Sequence, residues 1–494
     1  MIEDAALLAT IIPGIAGILL YAFSRQIRRD AGWMATIAAS SSVVMLISMG
    51  SDVLGKGGSL TFTYAWIPSI GVDFGFLVDT VSFPIALIAA AVSTLCCFYS
   101  FKYMMKERDQ PAYYANLLLF MTGMIGVILS SNLIQFYLFW ELMLIPSYLL
   151  IANWGTSKNR LNIAFKYFIF THIGALSMLL GILAIFSYTG TFNLLDLPKV
   201  AIEIGTRAPN MVGVIFVMLL IGFLVKMAAF PFHTWLPDAH SEAPTPISAM
   251  LSGVMIKCGA YGMARILLTA FGQIVLQASD YLAILGIITI AYGGLMALAQ
   301  TDIKRLLAYS SISQMGYILF GLGVASELGI MGGLLHIINH AVCKSLLFLC
   351  AGIIIHQTGT RDIRRLGGLI GKMPVMGIAC LIGVFSLAGT PPLNAFWSEW
   401  MIFGGGLAAG KGLITIFAVL STVITAGYYL WFVWRVFFGP LPKRLHKMKE
   451  APLSLRASVI ILATISVLLG VLPGLVLEYV APAAEYLSSL IPGG

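Results

Sequence analysis

Five ionisable side chains stand inside otherwise apolar runs, and their types set the chemistry open to this chain. Glu141 lies in QFYLFWELMLIPSYLL, Lys226 in FVMLLIGFLVKMAAFPFH, Lys257 in SAMLSGVMIKCGAYG, Lys344 in HIINHAVCKSLLFLC and Glu399 in GTPPLNAFWSEWMIFGG. A charge at the centre of a membrane helix costs about 2.5–3.5 kcal/mol on insertion scales. Any one of them could be half of a structural ion pair that fixes helix packing. A series of acids and bases is better explained by proton transfer. His336 and His340 precede Lys344 at intervals of four, so three protonatable groups share one helix face. Imidazole titrates near neutral pH, which suits a relay. The spacing would also suit a metal ion, but no acidic or sulfur ligand accompanies it at a set interval. His233 and His240 read as caps on backbone groups at a helix break. His172 reads as a satisfied core histidine, and His446 as a solvated residue in a basic loop.

The helices that carry these groups are themselves interrupted. Lys226 is followed by Pro231, and FPFHTWLPDAHSEAPTP then supplies Pro237, Pro244 and Pro246; Glu399 is preceded by Gly389, Pro391 and Pro392. Proline removes a backbone donor and clashes with the turn before it. Glycine lowers the cost of the bend. Non-helical backbone at membrane depth survives only inside protein or beside a water-filled cavity. One charged, broken helix in each half of the chain is the pattern of an internally repeated transporter.

The composition agrees. The 494 residues are 59% hydrophobic and 10% charged, whereas soluble domains carry roughly 25% charged residues. A soluble enzyme, a disordered chain and a disulfide scaffold are excluded, and a polytopic all-α membrane protein remains. Apolar runs at 4–23, 31–50, 76–102, 112–130, 132–152, 162–188, 210–230, 246–270, 281–300, 307–323, 328–355, 374–402, 412–438 and 454–474 give about 14 spans. The first is no signal peptide, because Glu3 and Asp4 precede it and Arg25, Arg28 and Arg29 follow it. Alternate loops are basic: Arg25/Arg28/Arg29, Lys102/Lys106/Arg108, Lys158/Arg160, Lys304/Arg305, Arg361/Arg364/Arg365/Lys372 and Lys443/Arg444/Lys447/Lys449/Arg456. The intervening loops hold Lys56, then Lys199 and Arg207, then Lys411. The positive-inside rule puts the first set in the cytoplasm and both termini outside. Among the polar connections, Ser59–Trp66 alternates enough for a short hairpin.

The net charge of +8 belongs to those loops, with no basic, aromatic-interleaved face for nucleic acid. The six cysteines, Cys96, Cys97, Cys258, Cys343, Cys350 and Cys380, match no zinc, haem or iron–sulfur spacing and read as buried apolar side chains. There is no dinucleotide fingerprint and no phosphate-binding loop. No cofactor and no metal is expected, and energy must come from partner subunits.

FYLFWELMLIPSYLL, LVKMAAFPFHTWLPDAHSEAPTPISAMLSGVMIKCGAYG and DIKRLLAYSSISQMGYI resemble signatures of the antiporter-like subunits of respiratory complex I. Their relatives are subunits of multisubunit cation/proton antiporters and of membrane-bound hydrogenases. The resemblance covers essentially the whole chain. It implies that Glu141 is the family's helix-five glutamate, Lys226 its broken-helix lysine, Lys257 its helix-eight central lysine and Glu399 its helix-twelve ionisable position. That last site is lysine in some subtypes and glutamate in others. Glutamate there, with an early C-terminus and no long lateral helix, looks like the fourth-subunit or M type. The implied fold is two inverted five-helix repeats joined by a polar axis. Within one transmembrane domain over 1–494, N-terminal helices fill 1–110 and the repeats 111–270 and 281–438. A C-terminal loop and helix take 439–494.

The expected function is therefore proton translocation within a complex I-like oxidoreductase of the quinone or phenazine type, in a bacterial or archaeal cytoplasmic membrane. The partners are the lipid bilayer and other membrane subunits, including antiporter-like paralogues. The ion is the proton, with sodium as the alternative. In the expected order, Glu141 modulates Lys226, Lys257 holds the proton, His336, His340 and Lys344 connect, and Glu399 is the distal group. A sodium/proton antiporter, a hydrogenase-linked pump and a membrane scaffold are the competing readings.

Overall fold

The computed structural model describes residues 4–27, 30–55 and 58–492; Glu3, Arg28, Arg29 and Lys56 lie outside the described residues. The chain opens with α1 (Ala5–Ala22) and α2 (Ala31–Gly55), then a hairpin of β1 (Ser59–Ile67) and β2 (Val72–Asp79). There follow α3 (Ser82–Tyr103), α4 (Gln110–Leu129), α5 (Leu133–Trp154), α6 (Arg160–Thr189), α7 (Leu197–Arg207), α8 (Pro209–Met227) and α9 (Leu236–Glu242). The run Thr245–Gln277 is broken into α10 (Thr245–Met250), α11 (Ile256–Gly262) and α12 (Thr269–Gln277). The second half holds α13 (Ser279–Leu298), α14 (Ile303–Gly323), α15 (Glu327–Thr358), α16 (Pro374–Leu387), α17 (Asn394–Ala408), α18 (Gly412–Phe437), α19 (Leu453–Val471) and α20 (Gly474–Ser489).

Among the described residues, twelve helices are long and apolar enough to cross a membrane. The expected span 307–323 is helical as α14, but it is less apolar because Ser310, Ser311, Ser313 and Gln314 turn inward and are buried. The expected span 374–402 is two helices, α16 and α17, parted at the Gly389–Pro392 break. The expected span 76–102 begins only at Ser82, since 76–79 finish a strand. Ser59–Trp66 is not itself a hairpin but one strand, paired antiparallel with Val72–Asp79 through Ser59↔Asp79 and Phe62↔Phe76. The short helices α7 and α9, and α20 beyond the last expected span, went unread in the sequence.

In two spans, Thr245–Gln277 and Glu327–Thr358, the most apolar 18-residue stretch is wholly buried, and these spans carry Lys257 and the His336–His340–Lys344 file. Small residues let the surrounding helices close in, as they do where lipid removes the hydrophobic drive for helix pairing. A Cβ at Gly316 of α14 would stand 2.7 Å from the carbonyl of Gly286 on α13.

The loops fall on two faces. On one, Trp154 Nε1 donates to Arg108 O, Thr156 N to Glu242 O, Arg361 Nη1 to Ser241 O and Arg444 Nη2 to Arg365 O. Asp238 there pairs with Lys166 at 2.8 Å and Arg305 at 3.1 Å, and Asp302 with Arg361 at 2.8 Å. On the other, the hairpin bridges Ser130 through Phe76, Asn132 bridges Asn193, and Lys411 pairs with Asp280. Five of the six basic loops, from Arg108 to Arg444, thus share one stitched surface opposite Lys411.

Candidate functional site

Glu141 sits mid-way along α5, whose start is fixed by Asn132 accepting from Ile134 N and Gln135 N. Its carboxylate is not paired with Lys226. Glu141 Oε2 lies 3.2 Å from Nδ1 of His172 on α6, while Oε1 is buried without a hydrogen-bond partner. Lys226, in the last turn of α8, is 1% exposed and its Nζ has no hydrogen-bond partner among the described residues. The ammonium rests instead on the Trp140 ring, 5.0 Å from its centroid, a cation–π contact. Glu141 remains within electrostatic reach of it. Just beyond, Ala228 takes a left-handed conformation (φ 54°) and α8 ends ahead of Pro231.

Lys257 lies on α11 between two π-helical turns, Leu251–Met255 and Met263–Leu268. Wide turns of this kind free backbone groups and recur at functional sites. Lys257 Nζ donates to the carbonyl of Ser252 inside the first of them. The side chain is buried, and a Cβ at Gly253 would collide with Ser345 of α15, so α15 is pressed against this segment.

On α15, His336 is held from both sides: Nε2 is 2.7 Å from Gln314 Oε1 of α14 and Nδ1 is 2.9 Å from Ser398 Oγ of α17. His340 stacks on it, centroids 5.9 Å apart and 8° from parallel, with both ring nitrogens unpartnered. Lys344 Nζ donates to Leu307 O at 3.1 Å, to Ser310 Oγ and to Tyr429 Oη at 3.1 Å. Lys257, His336, His340 and Lys344 all act on one another electrostatically or through one intermediate of the set. Among the described residues no group of three or more His, Cys, Asp or Glu could hold a metal ion.

Glu399 is 4% exposed on α17, one residue past Ser398. The break before it turns on Gly389 at φ 70°, where a Cβ would stand 2.5 Å from Glu399 Oε2. The freed backbone is clamped by polar side chains: Asn394 Oδ1 accepts from Ser386 at 2.6 Å and from Ser466 at 2.8 Å. Asn339 of α15 reaches Asn394 O at 2.8 Å. Tyr317 and Tyr428, both buried, lie in electrostatic reach of Glu399.

The structure therefore joins His336, His340, Lys344 and Lys257 into one buried row and ties it to α17 at Ser398. It separates Glu141 from Lys226. His172 is not a satisfied core histidine but the partner of Glu141, with its side chain 36% exposed. His240 is buried with both ring nitrogens unpartnered, so its ring caps no backbone group; it stacks on Phe348, centroids 5.0 Å apart. His233 stacks on Phe230. All six cysteines are free and buried. Gln314, Ser398 and the buried Arg265–Asp79 pair (2.5 Å) were not legible as site or core elements. Their only sequence signal is polarity inside apolar runs.

A family model described as "NADH:quinone oxidoreductase/Mrp antiporter, TM" matches residues 130–425, a stretch that contains every residue of the row from Glu141 to Glu399. The chain belongs to this family. A second model, "NADH-Ubiquinone oxidoreductase (complex I), chain 5 N-terminus", matches residues 66–114. Among this NADH:quinone oxidoreductase/Mrp antiporter family, the F(420)H(2) dehydrogenase subunit M of Methanosarcina mazei is 32% identical over 100% of this chain and 99% of its own. A component of the Na(+)/H(+) antiporter of Alkalihalophilus pseudofirmus is 36% identical over 94% of this chain, which spans 61% of that relative's length. A chain in the structure of respiratory complex I from Thermus thermophilus with bound NADH superposes with a TM-score of 0.87. It is 26% identical, and each chain covers 100% of the other.

Proposed function

We propose that this chain is a proton-translocating, antiporter-like M-type subunit of a complex I-like respiratory oxidoreductase. It couples electron transfer in partner subunits to outward proton movement. The observation that carries the reading is the buried row itself. Lys226, Lys257, His340 and Glu399 are ionisable groups in the interior of apolar helices, with few or no fixed partners; Lys226, Lys257 and Glu399 lie near helix breaks or wide turns, and His340 lies inside the continuous α15. A protein that needed them only for stability would pair them, because leaving a buried charge unpaired is costly.

Within the row, Glu141 modulates Lys226, Lys257 holds the central proton, and the α15 file passes it towards Glu399. A carboxylate near a buried amine favours its charged form, and withdrawal of the carboxylate favours release. Moving one charge across 100 mV costs about 2.3 kcal/mol, and a tenfold change in proton affinity is worth about 1.36 kcal/mol. A swing of roughly fiftyfold in proton affinity therefore suffices, well within what burial and pairing supply. The two broken helices support the inverted-repeat reading of 111–270 and 281–438: α8 runs towards the basic face before its break, whereas α16 starts from that face. The full set of about 14 crossings follows if α14 and the α16–α17 pair each span the bilayer. A quinone- or phenazine-type acceptor, assembly with paralogous membrane subunits, and a bacterial or archaeal cytoplasmic membrane complete the proposal.

The similarity to a component of a Na(+)/H(+) antiporter favours one second reading, sodium/proton exchange. The test is the purified complex in proteoliposomes, supplied with the donor its electron-input subunit oxidises. Proton uptake coupled to turnover and independent of sodium supports the pump. Exchange that requires sodium supports the antiporter. In the same preparation, Lys257→Met should assemble yet translocate protons about tenfold less or worse; normal coupling would remove Lys257 from the path.

A further inference from the structure

The notable absence in the first half of the row is an ion pair between Glu141 and Lys226, and the notable presence is His172. We propose that His172 is the second docking point of Glu141, a positioning residue that holds the carboxylate whenever it is away from Lys226; this rests on the pumping function proposed above.

Three features of the geometry support it. First, the carboxylate's ion-pairing contact is with His172: Oε2 meets His172 Nδ1 at 3.2 Å, and Oε1 is buried with no hydrogen-bond partner assigned to it among the described residues. Second, the group it would otherwise neutralise is close and equally free. Lys226 Nζ has no hydrogen-bond partner, lies over the ring of Trp140, the residue before Glu141, and acts electrostatically on Glu141. Third, the imidazole is held in place for the task, stacked on Phe168 one turn earlier with centroids 5.5 Å apart and planes 11° from parallel.

The energetic logic is simple. Glu141 and His172 lie at the edge of an apolar lateral face, among Leu138, Ile145, Ile169 and Ile173, all exposed. A carboxylate that left Lys226 for such surroundings without a partner would be strongly penalised. The Glu141–Lys226 pair would then stay closed, and Lys226 would never release its proton. A hydrogen-bonding partner on α6 removes most of that penalty, so the paired and separated arrangements come close in energy. Two arrangements of similar energy are what a switch requires. Two phenols also face Glu141: Tyr137 on α5, within hydrogen-bonding reach of the carboxylate, and Tyr167 on α6; neither brings a charge, so His172 is the one partner there that can become a cation.

The experiment compares variants of the assembled complex in proteoliposomes, reading protons moved per electron pair. His172→Leu and His172→Phe both remove the hydrogen-bonding atom, and either one that assembles serves. Coupling should fall about fivefold or more. His172→Gln, which keeps an N–H donor, should restore most of it. In a Glu141→Gln background, His172→Leu should cause no further loss, because the switch is already disabled. Full coupling in His172→Leu, failure of His172→Gln to rescue, or an undiminished further loss in the Glu141→Gln background would each overturn the proposal. The unsubstituted complex, measured alongside, separates the cases. If its turnover moves no protons, the pumping function itself fails; if it pumps and His172→Leu pumps equally well, only the role of His172 is lost.

Discussion

At the scale of single residues, charge and shape at the two acids can be separated by substitution. The proposed role of Glu141 is to carry a carboxylate between two partners, and on that role Glu141→Gln should cut coupled proton movement about tenfold or more. Glu141→Asp, shorter but still charged, should lose much less. Equal losses in both would assign Glu141 to packing. Glu399 is buried and sits against the Gly389 turn. Glu399→Gln preserves its shape and removes its proton site, so translocation should drop by a similar factor while assembly is unchanged. Glu399→Lys asks whether any titratable group serves, and partial activity is expected. A glutamine variant that pumps normally would leave Glu399 as a cap on a broken helix. His336 was legible as part of a file, but its anchoring by Gln314 and Ser398 was not, because those partners lie 22 and 62 residues away.

At the scale of elements, the breaks matter more than the helices. A left-handed residue costs a non-glycine side chain about 1–2 kcal/mol, and Gly389 and Gly190 share that conformation at φ 70° and 73°. Gly190 has nothing within 4 Å of the added methyl, whereas at Gly389 the methyl would meet Glu399. Gly190→Ala should therefore lower thermal stability slightly and leave coupling intact. Gly389→Ala should in addition depress proton translocation by several-fold, read as protons per electron pair. The positions of both breaks followed from Pro231, Pro391 and Pro392 in the sequence, since proline acts locally. The two π turns around Lys257 did not, because LSGVM and MARILL carry no local signal for a wide turn. They arise where α15 presses on Gly253 and where Arg265 reaches Asp79 and Tyr261.

For the molecule as a whole, the two loop faces make orientation testable. With every native cysteine buried, a new exposed one reports its side without interference. Lys447→Cys on the basic face should react with a membrane-impermeant maleimide only in inside-out vesicles, and Thr206→Cys on α7 only in right-side-out ones. The opposite pattern would place the termini in the cytoplasm and reverse the direction assigned to the row. The stitching of these faces depends on contacts such as Arg361 with Ser241, 120 residues apart, which hold the basic loops in one layer.

The sequence by itself determined the largely helical membrane class, most of the long-helix positions, the two breaks, and the residues Glu141, Lys226, Lys257, His336, His340, Lys344 and Glu399 as ionisable groups inside apolar runs. These are local quantities: hydropathy over about 20 residues, proline and glycine chemistry, and spacing on a helix face. Only the tertiary structure decided which of those groups meet. It gave Glu141 to His172 and left Lys226 over Trp140. It paired Ser59–Ile67 with Val72–Asp79 and set Arg265 against Asp79, 186 residues away. A side chain inside an apolar run has no outward pattern to reveal its partner, because every face of a buried helix is apolar. Its neighbour is chosen by how closely helices approach, and that depends on glycines and volumes far along the chain.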